Sequence, residues 1–195
     1  MSSIIQQAQD CQICLPFLAD GVRPVFTVDP RARINIIGQA PGRKVHNSGI
    51  PWADASGKRL RQWLGVTDEQ FYDASLFAIL PMGFCFPGTG KSGDLPPRPE
   101  CAPQWHQPLL QMMPKIELTL LFGQYAQAYY LGKRRHKTLT ETVRHWADYL
   151  PTFLPMPHPS PRNGIWLRKN AWFEEEVVPV LQERVQAVLG KDDLS

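Results

Sequence analysis

The stretch RINIIGQAPG, residues 33–42, decides the fold. RINIIG (33–38) alternates apolar and polar residues and ends in glycine, the pattern of a strand that breaks into a turn. Three further extended apolar runs follow, LFAILPMG (76–83), IELTLLFG (116–123) and LPTFLPMP (150–157). Helical patterns lie between and after them. SGKRLRQWLG (56–65) puts Leu60, Trp63 and Leu64 on one face, and PQWHQPLLQMM (103–113) carries Pro108 as a kink or start. QYAQAYYLG (124–132) ends at the capping residue Gly132, followed by TLTETVRHWADYL (138–150) and WFEEEVVPVLQERVQAVL (172–189). Strands alternating with helices predict a three-layer α/β/α sandwich around a central, mainly parallel four-stranded sheet. The length fits a single domain over 1–195.

In such sheets ligands bind beyond the carboxyl ends of the strands. GQAPG (38–42) directly follows the first strand, and HPSPRN (158–163) directly follows the fourth, so the two loops are expected to meet on one edge. HPSPRN is stiffened by two prolines that remove backbone donors, which predicts neither helix nor inner strand. It carries a histidine, a serine and an asparagine on a rigid loop. The glycines of GQAPG let the backbone approach a ligand and turn its N–H groups toward it. The loop is neither GxGxxG nor a Walker loop, so nucleoside triphosphates are poorly supported.

Of the 195 residues, 43% are hydrophobic and 20% charged, an ordinary globular balance, and 19 prolines predict stiffened loops. No apolar run approaches the ~20 residues that cross a bilayer, and MSSIIQQAQD lacks the features of an export signal. A cytoplasmic protein without a membrane partner is expected. The net charge of +3 permits nucleic acid without demanding it. GKRRHK (132–137) is either a solvated helix end or a phosphate-contacting patch. Of the four cysteines, Cys11 and Cys14 form C-x-x-C, while Cys85 and Cys101 flank FPGTGKSGDLPPRPE. A disulfide framework does not suit a chain without an export signal, and a zinc ribbon lacks its second C-x-x-C. Four unrelated buried thiols is the plain alternative.

Taken together, the glycine–proline loop, HPS after the last strand, and Gly49-Ile50-Pro51 followed by an aromatic residue resemble the uracil-DNA glycosylase superfamily. The resemblance implies that Trp52 stacks on an extruded base, where the family usually has phenylalanine. It implies that Gly38, Ala40, Pro41 and Gly42 line the base site, with the amides of Gln39 and Ala40 on the base edge. His158 would aim a ring N–H at the leaving pyrimidine. Ser160, Arg162 and Asn163 would contact DNA, and Lys133, Arg134 and Arg135 would add phosphate contacts. The cysteine spacing resembles the iron–sulfur branches, families 4 and 5, which implies a structural four-iron–four-sulfur cluster on Cys11, Cys14, Cys85 and Cys101. A monofunctional, monomeric glycosylase excising uracil or a related deaminated base from DNA is the expectation.

The chain departs from the pattern at four places in and around these motifs. Family 4 usually has Glu where this chain has Gln39, and family 1 has Asp where it has Ala40. Gln39 would position water but cannot act as a base. Pro81 stands where family 4 has the Asn that reads the base edge. His46, where family 4 commonly has Asp, reads as a loop histidine facing solvent. Gln39, Ala40 and Pro81 support one alternative, a catalytically weak or inactive module that binds damaged or single-stranded DNA; a second, a hydrolase of free nucleosides or nucleotides, follows because the same pocket chemistry would cleave them. KRRHK is similar to a basic loop of one branch whose histidine bonds the sugar. Here it follows the third strand and its helix, so that chemistry is not carried to His136.

Overall fold

The computed structural model describes residues 3–190, so positions 1–2 and 191–195 of the expected span lie outside it. Helix α1 (Ile4–Gln9) precedes β1 (Ile34–Ile37), which is followed by α2 (Arg43–Ser48), α3 (Ala55–Leu64), α4 (Asp68–Tyr72) and β2 (Phe77–Ile79). A hairpin of β3 (Thr89–Gly90) and β4 (Gly93–Asp94) leads into α5 (Cys101–Gln111). The chain continues through β5 (Leu118–Phe122), α6 (Gly123–Leu131), α7 (Leu139–Arg144), β6 (Phe153–Met156), α8 (Gly164–Lys169) and α9 (Val178–Leu189).

The main sheet has the order β2-β1-β5-β6, with all three pairings parallel. Alternate residues face opposite layers. Ile34, Ile36, Leu118, Leu120 and Leu154 pack with Leu60 and Leu64 of α3 and Leu181 and Val185 of α9. On the other face, Ile37 and Leu121 meet Ala126 and Leu131 of α6, while Ala78 and Leu80 meet Trp105 and Leu109 of α5. Both faces are covered, which is why the strands read as near-continuous apolar runs. The three-layer sandwich is the one read from the sequence. The chain moves from β1 outward to β2 and then crosses to β5 on the other side of β1. This reversal opens a crevice at the strands' carboxyl ends.

Several elements differ from their expected bounds for local reasons. β2 stops at Ile79, two residues before Pro81. The run still follows β1 and its loop: the amides of Leu80, Met82 and Gly83 donate to the carbonyls of Ile36, Gly38 and Gln39. The expected helix 172–189 opens with a π-helical turn over Phe173–Val177 before α9. Pro179 cannot donate to the Glu175 carbonyl, and the turn widens there. The expected helix 138–150 divides into α7 and a 3-10 turn, Trp146–Tyr149. HPSPRN, expected to be free of helix, holds a 3-10 turn over Pro161–Asn163. Pro161 occupies the first position, where a missing N–H does no harm.

Candidate active site

The loops after β1 and β6 meet around a cavity of about 450 Å³, within the ~300–1,000 Å³ usual for ligand pockets. Gly38, Gln39, Ala40, Pro41 and Gly42 line it from one side, and His158, Ser160, Arg162 and Asn163 from another. Trp52 and Pro81 complete the expected set.

His158 is held from behind. Its Nδ1 lies 3.2 Å from the Ser160 backbone nitrogen, whose N–H can only donate. The ring therefore accepts at Nδ1 and carries its proton on Nε2. The Asn163 side-chain amide donates to the His158 carbonyl (2.7 Å), and Arg59 donates to the Ser160 carbonyl (3.3 Å). Burial pushes the imidazole pKa below its ordinary value, with the Asp54 carboxylate pulling the other way. The result is a neutral ring with one fixed donor. Its centroid lies 5.6 Å from that of Trp52, at an interplanar angle of 31°.

Trp52 is placed by its neighbours against its own backbone preference. Its φ is 57°, a left-handed conformation that costs a residue with a bulky side chain roughly 1–3 kcal/mol. Gly57 lies against its carbonyl: a Cβ there would come within 1.6 Å of the oxygen. Arg61 donates to the same carbonyl at 3.2 Å, and Phe122 meets the indole edge-on at 6.0 Å. The ring crosses Gly38, which has no side chain to obstruct it.

The Gln39 side chain donates from Nε2 to the Leu95 carbonyl at 3.4 Å. Among the described residues, the amides of Gln39 and Ala40 have no main-chain acceptor. Pro81 is fixed from beneath by a pair the sequence did not reveal. His106, 1% exposed, donates from Nε2 to the Pro81 carbonyl (2.9 Å), and its Nδ1 faces the Tyr130 hydroxyl at 2.6 Å. Burial lowers its pKa to about 4, so it is a neutral donor throughout the ordinary range. Asp54, Ser56, Ser92, Gly93 and Asp94 also line the cavity and were not expected there. Asp54 was legible as a helix N-cap, since its carboxylate accepts from the Gly57 amide at 2.9 Å.

Other expected residues lie differently. The Asn163 side chain braces the loop rather than projecting outward. Arg162 donates to the Ser92 carbonyl at 3.5 Å and so ties its loop to the hairpin. Lys133 and Arg135 line a separate depression with His136 and Lys137, and the Arg134 guanidinium sits over the Phe153 ring at 5.6 Å. None of these three lines the main cavity. His46 is not a fully solvent-facing loop residue: it lies half-buried in the last turn of α2, its Nδ1 is enclosed without a hydrogen-bond partner among the described residues, and its ring lies 5.8 Å from Phe86. Packing against Phe86 supplies the apolar cover that a solvent-facing loop would lack.

The four cysteines carry no disulfide. Among the described residues, no three His, Cys, Asp or Glu side chains converge as the ligands of one ion would. The thiols nevertheless share one electrostatic neighbourhood. Burial pushes Cys101 up to about 12 and Cys85 up to about 11, and each is raised further by the other cysteines. Two of the sulfurs also accept from N–H donors. Phe84 donates its amide to Cys101 (3.3 Å) and Trp105 its indole to Cys11 (3.4 Å). The Cys14 thiol instead faces the Glu100 carboxylate, its Sγ 3.9 Å from Oε2. The N–H donors to sulfur suit a cluster, whose ligands each hold a different iron and stand farther apart than those of a single ion. N–H donors to sulfur are among the groups that tune such clusters.

A 108-residue segment, 53% of this chain and 46% of the relative, is 28% identical to a Type-4 uracil-DNA glycosylase of Sulfurisphaera tokodaii. The match thus spans about half the length of that relative. A solution NMR structure from Methanosarcina acetivorans, provisionally assigned as a uracil DNA glycosylase, superposes with a TM-score of 0.45 at 17% identity. That overlap covers 83% of this chain and 98% of the other and is too loose to argue from. The family model of the uracil DNA glycosylase superfamily matches residues 25–182, from the segment before β1 into α9. That match takes in both loops and the whole main sheet, and the chain belongs to the uracil DNA glycosylase superfamily.

Proposed function

We propose that this protein is a monofunctional DNA glycosylase that hydrolyses the N-glycosidic bond of uracil, or of a related deaminated base, flipped out of DNA. One observation carries the reading: a neutral imidazole, its proton fixed on Nε2, lies beside an indole in a cavity at the sheet's carboxyl edge. As the bond to C1′ breaks, negative charge moves onto the pyrimidine. A fixed donor aimed at that charge is worth on the order of a hundredfold or more in rate. His158 is that donor, Trp52 gives the base a surface to stack on, and the amides of Gln39 and Ala40 meet its edge. The Pro81 ring bounds the pocket where an amide side chain would read the base. Ser160 and Arg162 meet the DNA backbone at the rim, and Lys133, Arg134 and Arg135 extend that contact. Asn163 serves by holding the His158 carbonyl.

Cys11, Cys14, Cys85 and Cys101 would hold a four-iron–four-sulfur cluster, which would tie the amino-terminal segment to the loop after β2. The protein would act as a monomer with one domain, in the cytoplasm, where thiols stay reduced. A second reading, a binding module without turnover, is favoured by the engaged Gln39 side chain and the absent carboxylate at Ala40. Incubation with single- and double-stranded uracil DNA, and with a panel of other deaminated bases, separates the two. Abasic product supports the glycosylase, whereas tight, salt-sensitive binding without product selects the module.

A further inference from the structure

Hydrolysis of an N-glycosidic bond asks two things of a protein. It must accept charge on the leaving base, and it must hold and deprotonate the water that attacks C1′. On the glycosylase reading, which this inference rests on, His158 meets the first need. The loop after β1 does not meet the second. Ala40 has no polar side chain, and Gln39 is no base and is bonded to Leu95.

Two carboxylates line the cavity, Asp54 and Asp94. Asp54 is committed to structure, with an oxygen capping α3 through the Gly57 amide at 2.9 Å. Asp94 is different. It ends β4, and its Oδ2 hangs over Gly42, 3.4 Å from where a side chain on that glycine would begin. Among the described residues its carboxylate makes no hydrogen bond or ion pair; Arg43, whose charge it feels, pairs instead with Asp20 at 2.8 Å.

The hairpin bearing Asp94 is fastened to both loops of the site. Gln39 donates to Leu95 at 3.4 Å on one side, and Arg162 donates to Ser92 at 3.5 Å on the other. Gly93 lies so near Arg162 that a Cβ would stand 2.0 Å from its Nη1. The hairpin thus bridges the cavity from the first loop to the last and brings an uncommitted carboxylate over the glycine loop.

We infer that Asp94 is the general base of this site, supplying from the β3–β4 hairpin the carboxylate that Gln39 and Ala40 lack. The water oxygen bonds to C1′ as the C1′–N bond breaks. The bonding pair leaves with the pyrimidine, whose charge the His158 Nε2–H stabilises, and the water's proton passes to the Asp94 carboxylate.

The test is single-turnover cleavage of a uracil-containing oligonucleotide by the full chain, with oligonucleotide affinity measured in parallel. Asp94→Asn, close in size to the original residue, should slow the chemical step by about 100-fold or more while leaving affinity unchanged. Asp94→Ala should be slow as well, and added formate should restore part of its rate. A purely structural role for Asp94 would give no such rescue. An active wild-type protein whose Asp94→Asn variant cleaves at a near-native rate overturns the inference alone, as does an Asp94→Ala loss that formate leaves unchanged. A wild-type protein that releases no base from uracil DNA or from the deaminated-base panel overturns the inference together with the reading beneath it.

Discussion

The indole of Trp52 lies across the α-carbon of Gly38, so close that a Cβ added to the glycine would stand 2.8 Å from the ring. The first glycine of the loop after β1 is thus a seat for the residue expected to hold the base. Gly38→Ala should destabilise the fold by about 1–3 kcal/mol, as other overpacked sites do, and slow base release by displacing the ring. Because the conflict is with ring volume, adding Trp52→Phe should recover part of the lost stability, which makes the pair non-additive. Urea unfolding of the two single variants and the double variant measures the coupling, and simple additivity would show that the contact carries no energy.

His158→Ala removes the fixed donor without touching the outer rim. The rate of uracil release should fall by about 100-fold or more, with DNA affinity held near the native value. His158→Gln keeps a side-chain N–H near the same place and should recover part of the rate. If the two variants lose affinity and rate together, the residue binds rather than stabilises the leaving group.

The buried His106 makes stability sensitive to acid. Its folded pKa, about 4, lies well below the ordinary 6.5. Between those values the unfolded chain takes up a proton that the folded chain refuses, so stability is full above pH 6.5 and is lost as the pH falls toward 4. The loss from this group is on the order of 3 kcal/mol. His158, also lowered by burial, adds in the same direction. His106→Gln should cost about 1–2 kcal/mol at pH 7 through its hydrogen bonds and flatten the decline between pH 6.5 and 4. Urea midpoints at a series of pH values for wild type and variant read both effects.

How much of this was legible in the sequence depended on which residues carried a pattern. The four strands were readable because RINIIG alternates and ends in glycine, while LFAILPMG, IELTLLFG and LPTFLPMP are the extended apolar runs expected of strands covered on both faces. HPSPRN and GQAPG were readable as partners because both follow strands. The hairpin that bridges them was not. Its residues, TGKSGD, offer no apolar periodicity, and its placement rests on long-range bonds to Gln39 and Arg162 that local sequence does not encode. The support of Pro81 by His106 and Tyr130 was hidden for the same reason: three residues from three separate segments meet only in the folded chain. The π-turn before α9 had a visible cause in Pro179, but a helical period alone conceals it.

The cysteines make a prediction about the protein as purified. Material prepared without air should be brown and contain iron and acid-labile sulfide. Cys101→Ser should lose both the colour and the stability gained by tying the loop after β2 to the amino-terminal segment. The Trp105 indole only donates to the Cys11 sulfur, so in the otherwise native chain Trp105→Phe should shift the cluster's redox potential or visible spectrum while leaving iron content intact. Colourless, iron-free protein under these conditions would reduce the four residues to buried thiols.

Lys133 and Arg135 stand apart from the cavity and test whether DNA extends beyond the flipped base. If each neutralises a phosphate, replacing both with alanine should weaken binding alike for uracil-bearing and undamaged DNA. The slope of log affinity against log salt should become shallower by about 0.7 per lost contact on single strands and about 0.9 on duplex. Cleavage of DNA already bound should proceed at the native rate, because neither residue reaches the cavity. An unchanged slope would mean that the run is only a solvated helix end, its charges complementing the carboxyl terminus of α6. A slope change confined to duplex would place this patch against the second strand, which single-stranded substrates never present.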